Sequence, residues 1–343
     1  MLLMATAADR RGESAIRQYN MGMPIERVQG VLCAGGICFD MLLWPIDKLQ
    51  WGTSTWAEEF VEELGGNGGN TAFTLARLGT PVRLLGMVGK DTQGDRAIAR
   101  LREAGVDLTL LQRIPAPTTV TVCVVNSSGD RLFLKNLGVS KQTFSEPIQF
   151  TAELVGEHTH FHMANLFSLP HLSRNGAEIL RRAREAGLST SLDTGWDPEG
   201  LWMESIGSCF PYTDLLFVNQ DEARMLTGFK EPEPAAQSLQ QRGVRDVVVK
   251  LGAGGCMVFT PETCWHARGL EARVVDTTGA GDCFAGAFLT ALQRGAGYEE
   301  AARLANAVGA MAVERLGAVA GVRSYEETMA WIEERGPERN DED

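Results

Sequence analysis

The sequence predicts an α/β fold in which a mainly parallel sheet carries helices on both faces. Apolar segments with a strand-like pattern alternate along the chain with amphipathic segments of helical period, which is typical of parallel sheets. The predicted strands comprise residues 31–34, 82–88, 158–164, 188–193, 214–219 and 247–251. The predicted helices comprise residues 70–78, 93–104 and 174–186, each followed by glycine. Ligands of such sheets bind beyond the carboxyl ends of the strands, so we expect the site there.

Two regions depart from this alternation. Residues 118–126 alternate in polarity and turn into residues 131–135, which predicts a β-hairpin. The stretch 41–64 lacks a helical period and contains three tryptophans: Trp44, Trp51 and Trp56. On residue pattern alone, both regions are excursions from the main sheet.

Charge and cysteine content limit the class of protein. The net charge of −12 and the scattered Lys and Arg residues argue against a nucleic-acid partner. The seven cysteines are dispersed without a CxxC spacing, which predicts reduced thiols and a cytoplasmic location. We expect no signal peptide and no membrane contact, because the first apolar run is short and lacks a basic flank. We interpret residues 1–26 as an N-terminal extension and residues 337–343 as an acidic tail.

The most specific string is DTTGAGD, residues 276–282, which leads into a helical run. Gly279 and Gly281 lack side chains where the backbone must curl, so the amides of this loop can converge at a helix start and bind an anion. Asp282 would repel that anion unless it takes a proton, and this combination points to phosphoryl transfer to a hydroxyl. The alternative is an ordinary acidic residue in the first turn of a helix.

A second glycine-rich string, GGNGGN at residues 65–70, precedes another helical segment. Together the two strings resemble, in order, the signatures of the ribokinase-like (PfkB) carbohydrate kinases, and the resemblance covers about residues 28–335. It implies a ribokinase-like three-layer α/β sandwich with a mainly parallel central sheet and a small β-sheet lid. The kinase domain would comprise residues 27–336, with lid segments at about 41–64 and 115–137.

The resemblance also implies an ATP-dependent sugar kinase with a small sugar and ATP as its partners. Asp282 would be the general base, and three residues would form an anion hole for the γ-phosphate: Gly279, Ala280 and Gly281. A homodimer through the lid is a further expectation. One alternative is a nucleoside kinase of the same family, with a base-stacking pocket drawn from Trp44, Trp51, Trp56 and Phe167. Another is a sugar-binding regulator without turnover.

Five residues match nucleotide-binding positions of the family: Asn219, Glu222, Lys250, Gly252 and Asn306. Glu222 would help to place Mg²⁺ through water. Each polar residue also has an ordinary alternative role. Asn219 and Glu222 are common at the start of a helix, Lys250 would be an exposed strand end, and Asn306 would be an amide on the face of a helix at 299–315.

On the acceptor side, the resemblance implies contacts from Asp40, Gly66, Asn67 and Asn70. Asp40 would lie where the first strand region ends and accept hydrogen bonds from two sugar hydroxyls; the alternative is a turn-forming Asp. Asp197 stands where kinases of 2-keto-3-deoxy sugar acids carry Arg, and Asn67 stands where ribokinases proper carry Lys. We therefore expect a neutral ketose, aldose or polyol as the acceptor.

The resemblance further implies a site for a monovalent cation such as K⁺ beside the anion hole. Its ligands would be the Asp276 carboxylate and the backbone carbonyls of Thr278, Ala312, Arg315 and Gly317. Gly321 replaces the family's serine ligand. The alternative is that Asp276 only accepts hydrogen bonds from loop amides.

Three histidines alternate along one predicted strand: His158, His160 and His162. Three ligands on one strand cannot all converge on a tetrahedral ion, so we interpret them as packed or hydrogen-bonded strand side chains. Cys283 follows Asp282, and we interpret it as a buried thiol on a helix face.

Overall fold

The two faces of the first strand pack into two different hydrophobic cores. The computed structural model describes residues 29–128 and 131–335. Val31 and Cys33 pack in one core, whereas Leu32 and Ala34 pack in the other. Successive strand side chains point to opposite faces of a sheet, so the helices that complete the two cores lie on opposite sides. The result is the predicted three-layer α/β sandwich.

Most of the strands belong to one mainly parallel sheet. The strands are β1 (Gly30–Gly35), β2 (Cys38–Trp44), β3 (Glu59–Gly65), β4 (Val82–Leu85), β5 (Met87–Gly89), β6 (Gln112–Ile114), β7 (Thr119–Val125), β8 (Arg131–Asn136), β9 (His158–Ala164), β10 (Ser189–Asp193), β11 (Leu215–Asn219), β12 (Asp246–Lys250), β13 (Cys256–Phe259) and β14 (Cys264–Ala267). The main sheet has the order β14-β13-β12-β11-β10-β9-β1-β4. β13 pairs in antiparallel fashion with both β12 and β14, and the other neighbouring strands of this sheet are parallel.

The helices divide between the two faces of this sheet. They are α1 (Asn67–Arg77), α2 (Thr92–Ala104), α3 (Ala152–Val155), α4 (Pro170–Glu185), α5 (Met203–Ile206), α6 (Gln220–Thr227), α7 (Pro232–Gln241), α8 (Ala280–Gln293), α9 (Tyr298–Val313) and α10 (Tyr325–Glu334). The core that contains Val31 includes residues of α1, α2, α8, α9 and α10, and the core that contains Leu32 includes residues of α4 to α7. Within the described residues, no helix is both long enough and apolar enough to cross a membrane.

The carboxyl ends of the parallel strands lie along one edge of the main sheet. Asp193, Asn219 and Lys250 are the last residues of β10, β11 and β12, and Asn219 pairs with Lys250 in the register of the sheet. Parallel strands bring such terminal residues together. The main sheet therefore places a carboxylate, an amide and an ammonium group next to one another.

The two regions that depart from the alternation form a second, small sheet of four strands with the order β3-β2-β7-β8. The predicted hairpin is confirmed as the antiparallel pair β7 and β8. Asp40 lies within β2, so its predicted position at the end of the first strand region is wrong: β1 ends at Gly35. Asp40 pairs with Thr121, which pairs with Lys135, so these three side chains share one face of the small sheet.

The predicted strand at residues 82–88 is divided in two. β4 ends at Leu85, and β5 leaves the main sheet to pair with β6. Gly86 lies at the break between the two strands. A Cβ atom there would lie 3.0 Å from the Gly35 carbonyl oxygen, so the backbone passes close to β1 at this point. The predicted extension at residues 1–26 and the acidic tail at residues 337–343 lie outside the described residues.

Two glycines allow α1 to approach the end of β1. A Cβ atom on Gly35 would lie 2.8 Å from the Gly68 Cα atom, and a Cβ atom on Gly68 would lie 2.7 Å from the Gly35 Cα atom. This contact lets α1 begin at Asn67, three residues before the predicted start at Asn70. The backbone approach therefore determines where the first turn of α1 sits relative to the main sheet.

We expect Gly35→Ala to destabilise the protein by about 1–3 kcal/mol, because the added methyl group would overlap backbone atoms of Gly68. Urea denaturation measures this loss. Gly297→Ala is the matched control, since a Cβ atom on Gly297 would have nothing within 4 Å. Equal stability of the two variants would contradict the packing argument.

Candidate active site

The start of α8 requires glycine. Gly279 precedes the helix with φ of 72°, a left-handed conformation that other residues rarely adopt, and a Cβ atom there would lie 2.6 Å from the Ala318 Cβ atom. The buried Asp276 carboxylate holds the preceding loop by accepting hydrogen bonds from the Thr278 amide at 2.9 Å and the Gly317 amide at 3.1 Å. The loop amides at this helix start are therefore fixed, as an anion site requires.

Asp282 lies in the first turn of α8 and is buried. Its two carboxylate oxygens accept hydrogen bonds from the side-chain amides of Asn67 and Asn70, both at 2.8 Å. Burial raises the pKa of Asp282 to about 7, although the two amide contacts act in the opposite direction. A carboxyl group with such a pKa can accept and release a proton near neutral pH.

Lys250 reaches into the same region. Its Nζ atom lies 2.9 Å from Asp193 Oδ2. Burial alone would lower the pKa of Lys250, but the carboxylates of Asp193 and Glu222 outweigh burial and raise it, so the side chain stays charged. A Cβ atom on Gly281 would lie 3.2 Å from Nζ, which places the ammonium against the loop amides. The alternative interpretation of Lys250 as an exposed strand end is therefore wrong.

Asn219 and Glu222 join β11 to α6. The Asn219 side chain accepts a hydrogen bond from the Glu222 amide at 2.8 Å, and Glu222 Oε2 accepts one from the Asn219 amide at 2.9 Å. Thr194 also donates to Oε2 at 2.9 Å. Burial raises the pKa of Glu222 above its ordinary value, although the Lys250 ammonium acts in the opposite direction. The pair thus has the helix-capping role that the sequence offered as an alternative, at the edge of the site.

These groups surround a cleft of about 780 Å³, a size suited to a nucleotide. Ten of the predicted residues line it: Asn67, Asn219, Glu222, Lys250, Gly252, Gly279, Ala280, Gly281, Asp282 and Asn306. Asn306 lies in α9, and its amide donates to the carbonyls of Ala267 and Arg268, both at 3.0 Å. Asn306 therefore holds one wall of the cleft in addition to lining it.

The remaining predicted acceptor residues lie next to this cleft or in the small sheet. Gly66 precedes α1 with φ of 84°. Asp40 is buried in β2, where Cys38 Sγ donates to Oδ1 at 3.0 Å, and burial raises the pKa of Asp40. A Cβ atom on Gly65 would lie 2.1 Å from Asp40 Oδ2, so glycine provides the space for this carboxylate. The alternative of a turn-forming Asp40 is wrong.

The predicted cation ligands lie around Asp276 and at the end of α9. Asp276 contacts the amides of Thr278 and Gly317, which is the alternative that the sequence left open. Ala312 is buried in α9, and Arg315 follows that helix and lines a second cavity of about 830 Å³. Binding of a monovalent cation stays a prediction.

Two residues of the site were missed by sequence reasoning. Asn165 follows β9, and its Nδ2 atom donates to Asn67 Oδ1 at 3.0 Å, so it orients the amide that contacts Asp282. Asp193 holds Lys250. Both lie at carboxyl ends of parallel strands, and that position alone was a usable signal.

His160, His162 and Cys283 are buried side chains. His160 and His162 contact Ser191 Oγ, both at 2.7 Å, and burial lowers both pKa values to about 3, which fits packed neutral side chains. In the described part of the chain, no cluster of three potential metal ligands occurs. Cys283 is buried, and burial raises its pKa to about 12, as expected for an unreactive thiol.

The aromatic residues suggested for base stacking do not converge. Trp51 and Trp56 are 101% and 87% exposed, respectively. Phe167 is buried against Trp202, with ring centroids 5.9 Å apart. Trp44 packs against a small cluster within the small sheet. These side chains therefore form no common pocket in the described structure.

Comparisons with known proteins agree with this geometry. The family model described as "pfkB family carbohydrate kinase" matches residues 37–324. The chain is 31% identical over 290 residues to an ATP-dependent ribose-1-phosphate kinase of Halopiger xanaduensis, covering 84% of this chain and 93% of that protein. It is 31% identical over 268 residues to an aminoimidazole riboside kinase of Salmonella typhimurium, covering 74% and 83% of the two chains. The structure of Arabidopsis thaliana ribokinase complexed with ribose and ATP is similar with a TM-score of 0.78 and 25% identity, covering 90% of this chain and 99% of that one.

The raised pKa of Asp282 predicts a pH-dependent difference in stability between the wild type and Asp282→Asn. The folded pKa of about 7 exceeds the ordinary Asp pKa of 3.8, so the wild type loses stability as pH rises between these values. The variant cannot titrate there. We expect it to gain on the order of a few kcal/mol relative to the wild type from pH 4 to pH 7.

Denaturation curves at several pH values measure this difference. Asp221→Asn, at a side chain that is 72% exposed, is the matched control. A stability difference between Asp282→Asn and the wild type that stays constant with pH would contradict the assignment of the raised pKa.

Proposed function

This chain belongs to the pfkB family of carbohydrate kinases and is an ATP-dependent phosphotransferase acting on a sugar hydroxyl; we propose that Asp282 is its general base. The observation that carries this proposal is the position of a buried carboxyl group, with a pKa of about 7, in the first turn of α8 beside the loop amides. A base of that pKa is matched to work near neutral pH.

In the proposed reaction, the hydroxyl proton of the sugar moves to the Asp282 carboxylate. The hydroxyl oxygen bonds to the γ-phosphorus while the bond from that phosphorus to the β–γ bridging oxygen breaks, which yields the phosphorylated sugar and ADP. The amides of Gly279, Ala280 and Gly281 and the Lys250 ammonium neutralise the charge on the transferred group. The position of Lys250 supports its proposed part in this charge neutralisation, because its Nζ atom lies against Gly281.

We assign the nucleotide to the side of the cleft that contains Lys250, Gly252 and Asn306. A Cβ atom on Gly252 would have nothing within 4 Å, so the backbone there is open to the ligand. The oxygen-rich pair Asn219 and Glu222 suits hydrated Mg²⁺, a cation that neutralises phosphate oxygens when it is bound. Both hydrogen bonds that the Glu222 carboxylate accepts within the described residues fall on Oε2, which leaves Oε1 for metal-bound water.

The acceptor is proposed to be a small neutral sugar held by Asp40, Gly66, Asn67 and Asn70. Asn70 Oδ1 is buried and lacks a hydrogen-bond partner in the described structure, although the amide nitrogen of the same side chain contacts Asp282. A buried acceptor atom without a donor is costly, and a sugar hydroxyl would satisfy it. The Asp197 carboxylate accepts from the amides of Glu199 and Trp202, so no cationic side chain stands at that position for a sugar acid.

A riboside is the second candidate acceptor. One relative is an aminoimidazole riboside kinase. In this chain, Phe133 of β8 is 43% exposed and pairs with Cys123, two residues along from the row that contains Asp40 and Thr121. Phe133 therefore shares a face of the small sheet with Asp40, where an aromatic base can stack.

The small sheet is proposed to act as a lid that excludes water from the transferred phosphoryl group.

The face of the small sheet opposite to Asp40 supports a homodimer. One apolar row crosses its four strands and consists of Phe60, Leu43, Val124 and Leu132. Phe60 and Leu132 are 57% and 46% exposed. A second copy of the chain would cover this row. Light scattering that gives the monomer mass at micromolar concentration would exclude the dimer.

We expect Asp282→Asn to lower kcat by ~10² to 10⁴ and to leave ATP binding nearly unchanged, because the amide cannot accept the proton. The wild-type kcat should rise with pH through about 7 as Asp282 loses its proton. Steady-state kinetics across pH 5–9 test both statements. Wild-type turnover in the variant would remove Asp282 from the mechanism.

A panel of neutral sugars, sugar acids and ribosides, assayed with ATP and Mg²⁺, tests the proposed acceptor class. With the best acceptor, Asp40→Ala should raise the acceptor KM by on the order of tenfold or more and leave the KM for ATP unchanged. The exposed Asp47, which contacts Ser127 in the turn after β7, provides the matched control Asp47→Ala. If no member of the panel is phosphorylated, the result would favour a sugar-binding regulator without turnover. If Asp40→Ala weakens the affinities for the acceptor and for ATP equally, Asp40 would have a role in folding and not in acceptor binding.

A further inference from the structure

Arg131, the first residue of β8, connects the small sheet to the loop that precedes α8. Its Nη1 atom donates to Thr278 Oγ1 at 3.2 Å and lies 3.8 Å from Asp276 Oδ1. The Arg131 side chain is 28% exposed, and the Asp276 side chain is completely buried. A cationic group from the small sheet thus stands against the first residues of the anion-hole loop.

The charge of Asp276 explains why a cation is needed there. A buried carboxylate is stable only if charged or hydrogen-bonding groups compensate it. Asp276 Oδ1 accepts from the Thr278 amide, and Oδ2 accepts from the Gly317 amide. Two amides supply partial charges, and the Arg131 guanidinium supplies the full positive charge that balances the carboxylate.

The surrounding backbone offers little room for a further side-chain ligand. A Cβ atom on Gly321 would lie 2.1 Å from the Met311 carbonyl oxygen. The Gly317 carbonyl, one of the predicted cation ligands, accepts a hydrogen bond from the Ala320 amide at 3.3 Å. The structure therefore pairs Asp276 with a guanidinium at the place where the sequence predicts a monovalent cation.

We propose that Arg131 is a positioning residue that serves as a built-in cation: it neutralises Asp276, fixes the Thr278 end of the anion-hole loop, and makes phosphoryl transfer independent of K⁺. This inference rests on the proposed function. Arg131 pairs with Val125 in β8 and β7, and it shares a face of the small sheet with Lys135 and Asp40. One rigid sheet would then align the acceptor carboxylate and the charge that orders the loop.

The test compares the wild type with Arg131→Met, which keeps an unbranched apolar side chain and removes the guanidinium and its charge. Rates are measured with ATP, Mg²⁺ and the best acceptor in KCl, NaCl and tetramethylammonium chloride at constant ionic strength. We expect equal wild-type rates in all three salts. In tetramethylammonium, the rate of the variant should fall on the order of tenfold, and K⁺ should selectively restore it. This fall is smaller than the one expected on removing a donor that touches the phosphoryl group.

Arg96→Met is the matched control. Arg96 of α2 forms an ion pair with Glu62 of β3, so it also links the main body to the small sheet, but away from the anion-hole loop. Removal of the Arg96 charge should not make the reaction rate dependent on K⁺. Arg131→Lys should keep most of the wild-type rate in tetramethylammonium, because a charge remains near Asp276.

Thermal unfolding provides a readout that needs no acceptor. K⁺ should raise the Tm of Arg131→Met more than Na⁺ does. For the wild type and for Arg96→Met, the two ions should give equal Tm values. Stimulation of the wild type by K⁺ to the same extent as the variant would overturn the proposal, and so would full activity of Arg131→Met without K⁺. Inactivity of both Arg131 variants in every salt would also overturn it. If the chain phosphorylates no sugar, the Tm series still decides whether Arg131 replaces the cation.

Discussion

The site depends on the contact between one buried carboxylate and two amides from a distant part of the chain. Asp282 in α8 accepts hydrogen bonds from Asn67 and Asn70 in α1, more than two hundred residues away in sequence. Each amide can reach a separate carboxylate oxygen only because the first turn of α1 lies close to the end of β1. The two glycine-rich strings are therefore two halves of one structural unit, and neither is a complete site alone.

Charge balance is the second requirement of this arrangement. Asp193, Glu222 and Asp282 place three acidic groups around the Lys250 ammonium, and burial disfavours the charged forms of Glu222, Lys250 and Asp282. Such a cluster is a poor way to stabilise a fold, since the cost of desolvation offsets much of the attraction between the charges. Its retention fits a cleft that must receive several phosphate charges and redistribute protons. The arrangement favours chemistry over stability at this edge of the sheet.

Much of this organisation could be predicted from the sequence, because local rules determine it. Glycine spacing indicated the helix start at Gly279, and strand periodicity indicated the main sheet. Contacts that depend on tertiary packing were not accessible in this way. The burial of Lys250 follows from Asp193 on a neighbouring strand, and the position of Asp40 within β2 follows from pairing with β3 and β7. Arg131 gave no signal, since its partners lie almost 150 residues away and its own segment only indicated a hairpin.

The contact between Gly35 and Gly68 also restricts how this sequence can drift. Each Cα atom occupies the volume into which the other residue's side chain would grow, so a larger residue at either position is not compensated by a smaller one at the other. Pairwise exchange, the usual route by which cores change composition, is therefore closed here. A lineage that replaces either glycine must first move α1 away from β1, which would withdraw Asn67 and Asn70 from Asp282. Backbone proximity at one crossing thus ties the mutational freedom of the scaffold to the integrity of the catalytic centre.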